Sequence, residues 1–424
     1  MHVSGTGRPL VVMLTSRFPY GTAEHFIEGE LSAWTASGLD LLLVPEKNDT
    51  PQIAPRPLPV GVQLDTRLAR RWSSPLWRTV SMLDAVTGPV LYREIAALRR
   101  LGRLDPHTVL FVARSAVQIA MVRRMIRRIA RERGGVDVVY AYWLSVSAVA
   151  GALERRRGTV ARAVARAHGT DLYEERRSSR HSPMTRQITG DLDLLSTISE
   201  DGAKYAVSHY GFALQRVETH RLGVAVPGRD QWPEPTGPGC LTILSVSSMT
   251  PLKRLDLVVD TLLALHRAAP ALTLRWVHAG EGPLRPGIEW RIADQLSPAG
   301  IGAELLGQIG HRELMDWYRG QRLDLIINTS SSEGIPVSIM EAMVRGVPAV
   351  ATDVGAVHEV VEPGWLVPAD ADGDQIATRI LSLIDRAKDS GVRREAAREV
   401  ARRYDSAVNH RAFIDRLGGL AGKP

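Results

Sequence analysis

Leu323-Asp324-Leu325-Ile326-Ile327, followed shortly by Ser331-Ser332-Glu333-Gly334-Ile335-Pro336-Val337-Ser338-Ile339-Met340-Glu341-Ala342-Met343, is the stretch on which the fold turns. The apolar run reads as a buried strand. Small polar residues and Gly334 make the turn, and Pro336 suits the first position of a helix, where its missing N–H costs nothing. The amides near Val337, Ser338 and Ile339 would then face outward with the positive end of the helix dipole, as a diphosphate requires. Glu333 falls in the loop and Glu341 about a turn and a half into the helix. One carboxylate can reach a sugar and the other a ribose, so the stretch reads as a nucleotide-sugar site. The plain alternative pairs Glu341 with Arg345 one turn on and leaves Glu333 as a solvated loop residue.

Working outward, strand–turn–helix signals recur in both directions. Leu10–Leu14, Leu41–Val44, Val136–Tyr140, Val160–Ala167 and Leu194–Ile198 read as strands of a first half, with a helix from about Phe26 to Ser37. Leu241–Ser247 and Leu272–His278 begin a second, with a helix from about Asp256 to Arg267 between them. Strands alternating with helices imply parallel sheets. The expected fold class is α/β, two doubly wound Rossmann-like domains facing across a cleft. Residues 1–226 form the first and 240–400 the second. The proline-rich segment 227–239 links them, and a C-terminal helix over 401–424 packs back towards the first domain. At 424 residues the chain is too long for one ordinary core.

Hydrophobic content of 44% and charged content of 23% are those of a soluble globular protein. The single Cys240 excludes internal disulfides and cysteine-built metal sites. With no signal peptide or transmembrane run evident, a cytoplasmic protein is expected. The net charge of +7 is unevenly spread: residues 1–229 carry +11 and the remainder −4. Segment 66–133 alone carries 15 Arg against four acidic residues. Within it, Met121-Val122-Arg123-Arg124-Met125-Ile126-Arg127-Arg128-Ile129-Ala130-Arg131 puts positions 122, 125, 126 and 129 on one helical face, opposite the arginines. Such a helix either lies on an anionic membrane surface, with Trp72, Trp77 and Leu91 as further anchors, or turns an ordinary apolar face to the core. Peripheral attachment to the inner face of the plasma membrane follows from the first option. No nucleic-acid motif or aromatic interleaving accompanies the charge.

Three further segments end strands. Ser245-Val246-Ser247-Ser248-Met249-Thr250-Pro251-Leu252-Lys253-Arg254 places Lys253 and Arg254 where a strand hands over to a helix, suited to balancing a phosphate. His278-Ala279-Gly280-Glu281-Gly282-Pro283-Leu284 sets Gly280 and Gly282 after a strand, for close approach to a ligand or simply for a tight turn. In the first half, Arg166-Ala167-His168-Gly169-Thr170-Asp171-Leu172-Tyr173 brings His168 to a strand's carboxyl end. Phe18-Pro19-Tyr20-Gly21-Thr22-Ala23-Glu24 is the first strand-to-helix loop, where Gly21 frees amides to face phosphates, unless it is an ordinary turn.

In order and wording these segments resemble the retaining glycosyltransferases of family 4, which have the GT-B fold. The E-x7-E run from Glu333 to Glu341 is the most specific element. Around it stand Leu305-Leu306-Gly307, Thr352-Asp353-Val354-Gly355, Ile198-Ser199-Glu200 and Arg221-Leu222-Gly223-Val224. The resemblance spans roughly residues 10–410 and leaves 48–135 without a motif. It implies that Glu333 contacts the donor sugar, Glu341 the ribose and Lys253 the diphosphate, with His168 near sugar and acceptor. Gly334, Ile335, Pro336, Val337 and Ser338 would line the donor. Ser247 and Ser248 stand where many members have Gly-Arg before that lysine, so Arg254 would supply the second phosphate charge. The implied reaction is hexosyl transfer from a UDP- or GDP-sugar to an acceptor hydroxyl, in a polysaccharide or lipid-linked pathway, with neither metal nor other cofactor. A sugar-nucleotide epimerase of the same fold and a non-catalytic membrane scaffold are the alternatives.

Overall fold

The computed structural model describes residues 7–21, 24, 26–48, 54–177 and 179–422. The first six residues and Thr22 and Ala23 of the first loop, which the sequence reading also used, lie outside the described residues. The chain divides into two compact units, one of Met1–Arg221 with Ala407–Pro424 and one of Leu222–Ser406.

The first unit holds seven strands: β1 Leu10–Thr15, β2 Asp40–Pro45, β3 Val62–Leu64, β4 Val138–Ala141, β5 Arg162–Ala167, β6 Leu194–Thr197 and β7 Val217–Thr219. They form one parallel sheet in the order β3-β2-β1-β4-β5-β6-β7. Its strands read as continuous apolar runs because helices cover both faces. On one face pack the helices Pro106–Arg133 and Val146–Arg156; on the other, Phe26–Trp34 and the C-terminal helix Ser406–Ala421, through Phe413, Ile414 and Leu417. A buried ion pair, Arg166 to Glu30 at 2.5 Å, lies under that last helix, with the guanidinium 4.0 Å from the Phe413 ring centroid.

The second unit holds β8 Cys240–Val246, β9 Thr273–Ala279, β10 Gly302–Gly307, β11 Leu325–Asn328, β12 Ala349–Thr352 and β13 Leu366–Val367. This sheet is also parallel, in the order β10-β9-β8-β11-β12-β13. Each sheet reverses its winding once, between β1 and β4 in the first unit and between β8 and β11 in the second. Ligands of open α/β sheets bind beyond the strand ends at such switch points.

Two expectations change. The proline-rich stretch is not a free linker, since it is bonded into the second unit. Glu234 exchanges backbone bonds with Gln321 and Leu323, and the Pro233 carbonyl accepts from Arg393 at 2.7 Å. The chain crosses between units at Arg221–Leu222 and again at Ser406–Ala407. Nor is the basic helix lipid-facing along its apolar side. Val122, Met125, Ile126 and Ile129 are buried in the first unit's core, Leu91 is buried and Trp72 packs against that core. A parallel sheet needs its faces covered, and this helix spends its apolar side doing so.

Candidate functional site

At the second switch point, the loops after β8 and β11 meet. Lys253 sits in a short turn, Pro251–Lys253, after β8, and its Nζ lies 2.5 Å from the Glu333 Oε1. That oxygen also accepts from the Ser330 hydroxyl at 2.7 Å and the Asn328 side-chain amide at 3.1 Å. Glu333 is buried, which pushes its carboxyl up. The charge and hydrogen bond of Lys253, helped by Ser330 and Asn328, outweigh that and hold it below the ordinary glutamate range. The result is an ionised carboxylate set against the Lys253 Nζ at the strand ends.

The helix after the loop runs Val337–Met343, with Pro336 as its N-cap instead of its first residue. The Pro336 carbonyl accepts from the amides of Ile339 at 3.2 Å and Met340 at 3.3 Å. The Ile339 amide is therefore already used, and Val337 and Ser338 carry the first-turn amides without an intrahelical acceptor. Glu341 is buried, and its Oε1 lies 2.7 Å from the His311 Nε2. Arg345, which the plain alternative paired with that carboxylate, donates to the Glu341 backbone carbonyl at 3.0 Å and senses the carboxylate's charge, while His311 takes its hydrogen bond. His311 comes from the helix His311–Trp317 after β10, a partner that sequence spacing gave no sign of.

Arg254 does not present its charge to the crevice. Its guanidinium donates to the carbonyls of Thr329 (2.5 Å), Ser330 (3.3 Å) and Ala369 (3.0 Å), so it ties the β11 loop to its neighbours. Gly280 and Gly282 are glycines because of another loop. A Cβ on Gly280 would stand 1.8 Å from the Ser247 carbonyl oxygen, and one on Gly282 2.5 Å from that of Met249. Packing between loops accounts for both, and together they press the β9 loop against the segment that carries Lys253.

In the first unit, the loops after β1 and β4 border a cavity of about 300 Å³, lined by Arg17, Glu24, Glu46, Trp143, Asp171 and Arg177 among others. Three amides at the start of the β1 loop are already taken. Those of Ser16, Arg17 and Phe18 all donate to the Glu24 carboxylate at 2.7–3.1 Å, and the Trp143 indole donates to it at 2.5 Å. Gly21 contributes a carbonyl to Arg56 at 2.7 Å. His168 is buried beside the cavity, its ring 4.4 Å from that of Trp143. Its Nδ1 stands 3.7 Å from the Asp171 carboxylate, which fixes the loop by accepting from the His168 and Leu144 amides. Neither ring nitrogen has a hydrogen-bond partner among the described residues. Glu46, at the end of β2, accepts from the Ser147 hydroxyl at 2.5 Å. Burial pushes its carboxyl up to about 7, against Ser147 and Lys47 and with Glu24 adding to the push. Sequence reasoning passed over Glu46 and Trp143, although a carboxylate directly after an apolar strand was a usable signal. Among the described residues no cluster of three or more His, Cys, Asp or Glu is arranged to hold a metal ion, and no helix is long and apolar enough to cross a membrane.

The whole chain superposes on HepE of Anabaena in complex with UDP with a TM-score of 0.64, covering 97% of this chain and 100% of that one at 16% identity. It likewise superposes on the lipopolysaccharide outer core galactosyltransferase WaaB with a TM-score of 0.65, covering 98% and 99% at 13% identity. The fold is that of the GT-B glycosyltransferases. Within this GT-B chain, residues 240–386, which include Lys253, Glu333 and Glu341, match the family model for glycosyl transferases group 1. Among curated relatives, the lipopolysaccharide core biosynthesis mannosyltransferase LpsB of Rhizobium meliloti is 35% identical over 123 residues, 28% of this chain and 34% of that one. The putative colanic acid biosynthesis glycosyltransferase WcaL of Salmonella typhimurium is 28% identical over 274 residues, 59% and 62%. The matches thus span between a third and just under two thirds of these relatives' length.

Proposed function

We propose that this protein is a retaining glycosyltransferase of the family 4 type. It moves a hexosyl group from a nucleotide diphosphate sugar to an acceptor hydroxyl. The observation that carries the reading is the 2.5 Å contact between Lys253 and Glu333 at the second unit's switch point, inside the stretch that matches the family model. The difficult step is departure of the nucleotide diphosphate as an oxocarbenium-like centre develops. Lys253 and the amides of Val337 and Ser338 stabilise the leaving negative charge. Glu333, held ionised, accepts from donor-sugar hydroxyls, and Glu341 from the ribose. The leaving phosphate takes the acceptor's proton in front-side attack. His168 serves the acceptor side: its ring packs 4.4 Å from that of Trp143, which lines the first unit's cavity, where carboxylates and an indole suit a hydroxyl-bearing ring. UDP is the first nucleotide to test, because a structural neighbour holds it. The names of the relatives, lipopolysaccharide core and colanic acid biosynthesis, favour a saccharide acceptor of a polysaccharide pathway. The excess of arginine in segment 66–133 extends the reading to an acceptor carried on a lipid at the cytoplasmic face of an anionic membrane.

The deciding experiment pairs a thermal-shift screen against UDP, GDP, TDP and their sugars with a transfer assay on Glu333→Ala. Nucleotide stabilisation that survives in a variant unable to transfer is expected, whereas unchanged turnover removes Glu333 from the chemistry. The anomeric configuration of the product, read by NMR, tests retention. A free C2-epimeric sugar formed without acceptor would instead make the protein an epimerase.

A further inference from the structure

Segment 66–133, bare of motifs, builds a surface that belongs to neither strand-end site. The helix Pro75–Thr87 packs through Ser81 and Ala85, which are buried. Its opposite face is apolar and open: Leu76 is 75% exposed and Leu83 62%, and Met82 and Val86 are exposed as well. Leu76, Leu83 and Val86 fall seven and three residues apart, so they form one stripe along the helix. Helices of soluble proteins reverse this arrangement and turn polar residues outward.

Beside the stripe, a concavity of about 570 Å³ is lined by Trp77, Arg124, Arg127, Arg128, Arg131 and Glu132. Arg124 joins the two features, since it donates to Asp84 at 2.7 Å and to the Val80 carbonyl at 3.3 Å, both on the helix with the stripe. Arg127 is paired with Glu154 and Arg128 with Glu132, yet four guanidiniums face a single carboxylate within the basin. An apolar ridge flanked by a cationic hollow complements a surface that is itself apolar within and anionic at its rim.

We propose that this face docks on an anionic phospholipid surface. The Leu76–Leu83–Val86 stripe enters the interface, and the guanidiniums of the basin, Arg128 and Arg131 foremost, meet headgroup phosphates. The helix at 121–131 supplies the guanidiniums of this surface but not its apolar part, because its own apolar side is buried. The inference rests on the membrane association proposed above and not on the transfer chemistry.

The test is sedimentation of the full chain with phosphatidylcholine vesicles, with and without phosphatidylglycerol, alongside hydrogen exchange of the bound protein. Binding only with phosphatidylglycerol, weakened by salt, and slowed exchange over 75–87 are expected. Leu76→Ser with Leu83→Ser, and separately Arg128→Glu with Arg131→Glu, should each lower partitioning about tenfold. Leu76 and Leu83 are exposed, so the leucine variant should leave the melting temperature unchanged; the arginine variant loses the Arg128–Glu132 pair and should melt slightly lower, and unchanged nucleotide stabilisation in both separates docking from folding. Binding that protects another segment keeps membrane association and overturns this surface. Equal binding to neutral vesicles, or none to either, overturns both. A concentration-dependent dimer abolished by the leucine variants would assign the stripe to a second copy instead.

Discussion

Lys253 and Glu333 show how two side chains with unremarkable sequence contexts become a site. Each is ordinary alone; at 2.5 Å, with Ser330 and Asn328 also bonded to the carboxylate, Lys253 holds Glu333 ionised. Lys253→Ala removes the cation, and burial then prevails and carries the Glu333 carboxyl upward. We expect nucleotide-diphosphate affinity to fall about 10- to 100-fold, the scale of one charge-assisted hydrogen bond, as read by calorimetry. Undiminished affinity would refute the phosphate role. In the native protein Glu333 is depressed below its usual 4.5, so its contribution to stability is present above that value and lost as the pH falls through the folded pKa. Glu46 has the opposite sign. Its folded value near 7 exceeds the unfolded 4.5, so the native state holds a proton that the unfolded chain has released. Stability should therefore decline as pH rises from 4.5 to about 7, by an amount on the order of 3 kcal/mol. Glu46→Gln should flatten that decline, and denaturant midpoints at pH 5 and 8 that fall by the same amount in variant and parent would contradict the assignment.

At the scale of elements, loops are held by what their backbones touch. Gly280 has a φ of +147° and no room for a Cβ beside the Ser247 carbonyl. Gly280→Ala should cost about 1–3 kcal/mol in backbone strain, and overpacking of the β8 loop adds to it. Since that loop carries Lys253, a weaker thermal shift with nucleotide should accompany the lower melting temperature; a loss of stability with nucleotide response intact would show that the two loops are not coupled. The C-terminal helix Ser406–Ala421 is likewise part of the first unit's core, with Phe413 fully buried over Arg166. Phe413→Ala should destabilise that unit by about 3–5 kcal/mol, measured by urea-dependent hydrogen exchange across β4 and β5. Exchange there that matches the parent would place the helix outside the core.

Over the whole molecule, the charge asymmetry has a structural meaning. The first unit gathers the excess arginine, part of it neutralised internally by Glu154, Asp84 and Glu132 and part of it facing the basin. The second unit, mildly acidic overall, sets Lys253 beside its switch point. The two parallel sheets, with one reversal of winding in each, are the layout that the GT-B comparison independently supports. Transfer that persists in EDTA is expected of a site that relies on Lys253 and backbone amides; loss of activity restored by a divalent cation would require a different account of the leaving group.

The sequence by itself determined eight of the strands, among them β1, β2, β8, β9 and β11, and the two-domain α/β class, because local periodicity and turn chemistry are written in consecutive residues; the short strands β3, β7 and β13 carried too little of either. It also carried the family wording that points to Lys253 and His168. What only the tertiary structure decided depends on contacts between distant residues. Glu24 fills the β1-loop amides, Arg254 is spent on carbonyls, the glycines serve loop packing, and His311 partners Glu341. The basic helix turns its apolar side inward while a neighbouring helix leaves its own outside. Each of these follows from which neighbour arrives first to satisfy a buried polar group or cover an apolar face, and no spacing along the chain encodes the neighbour.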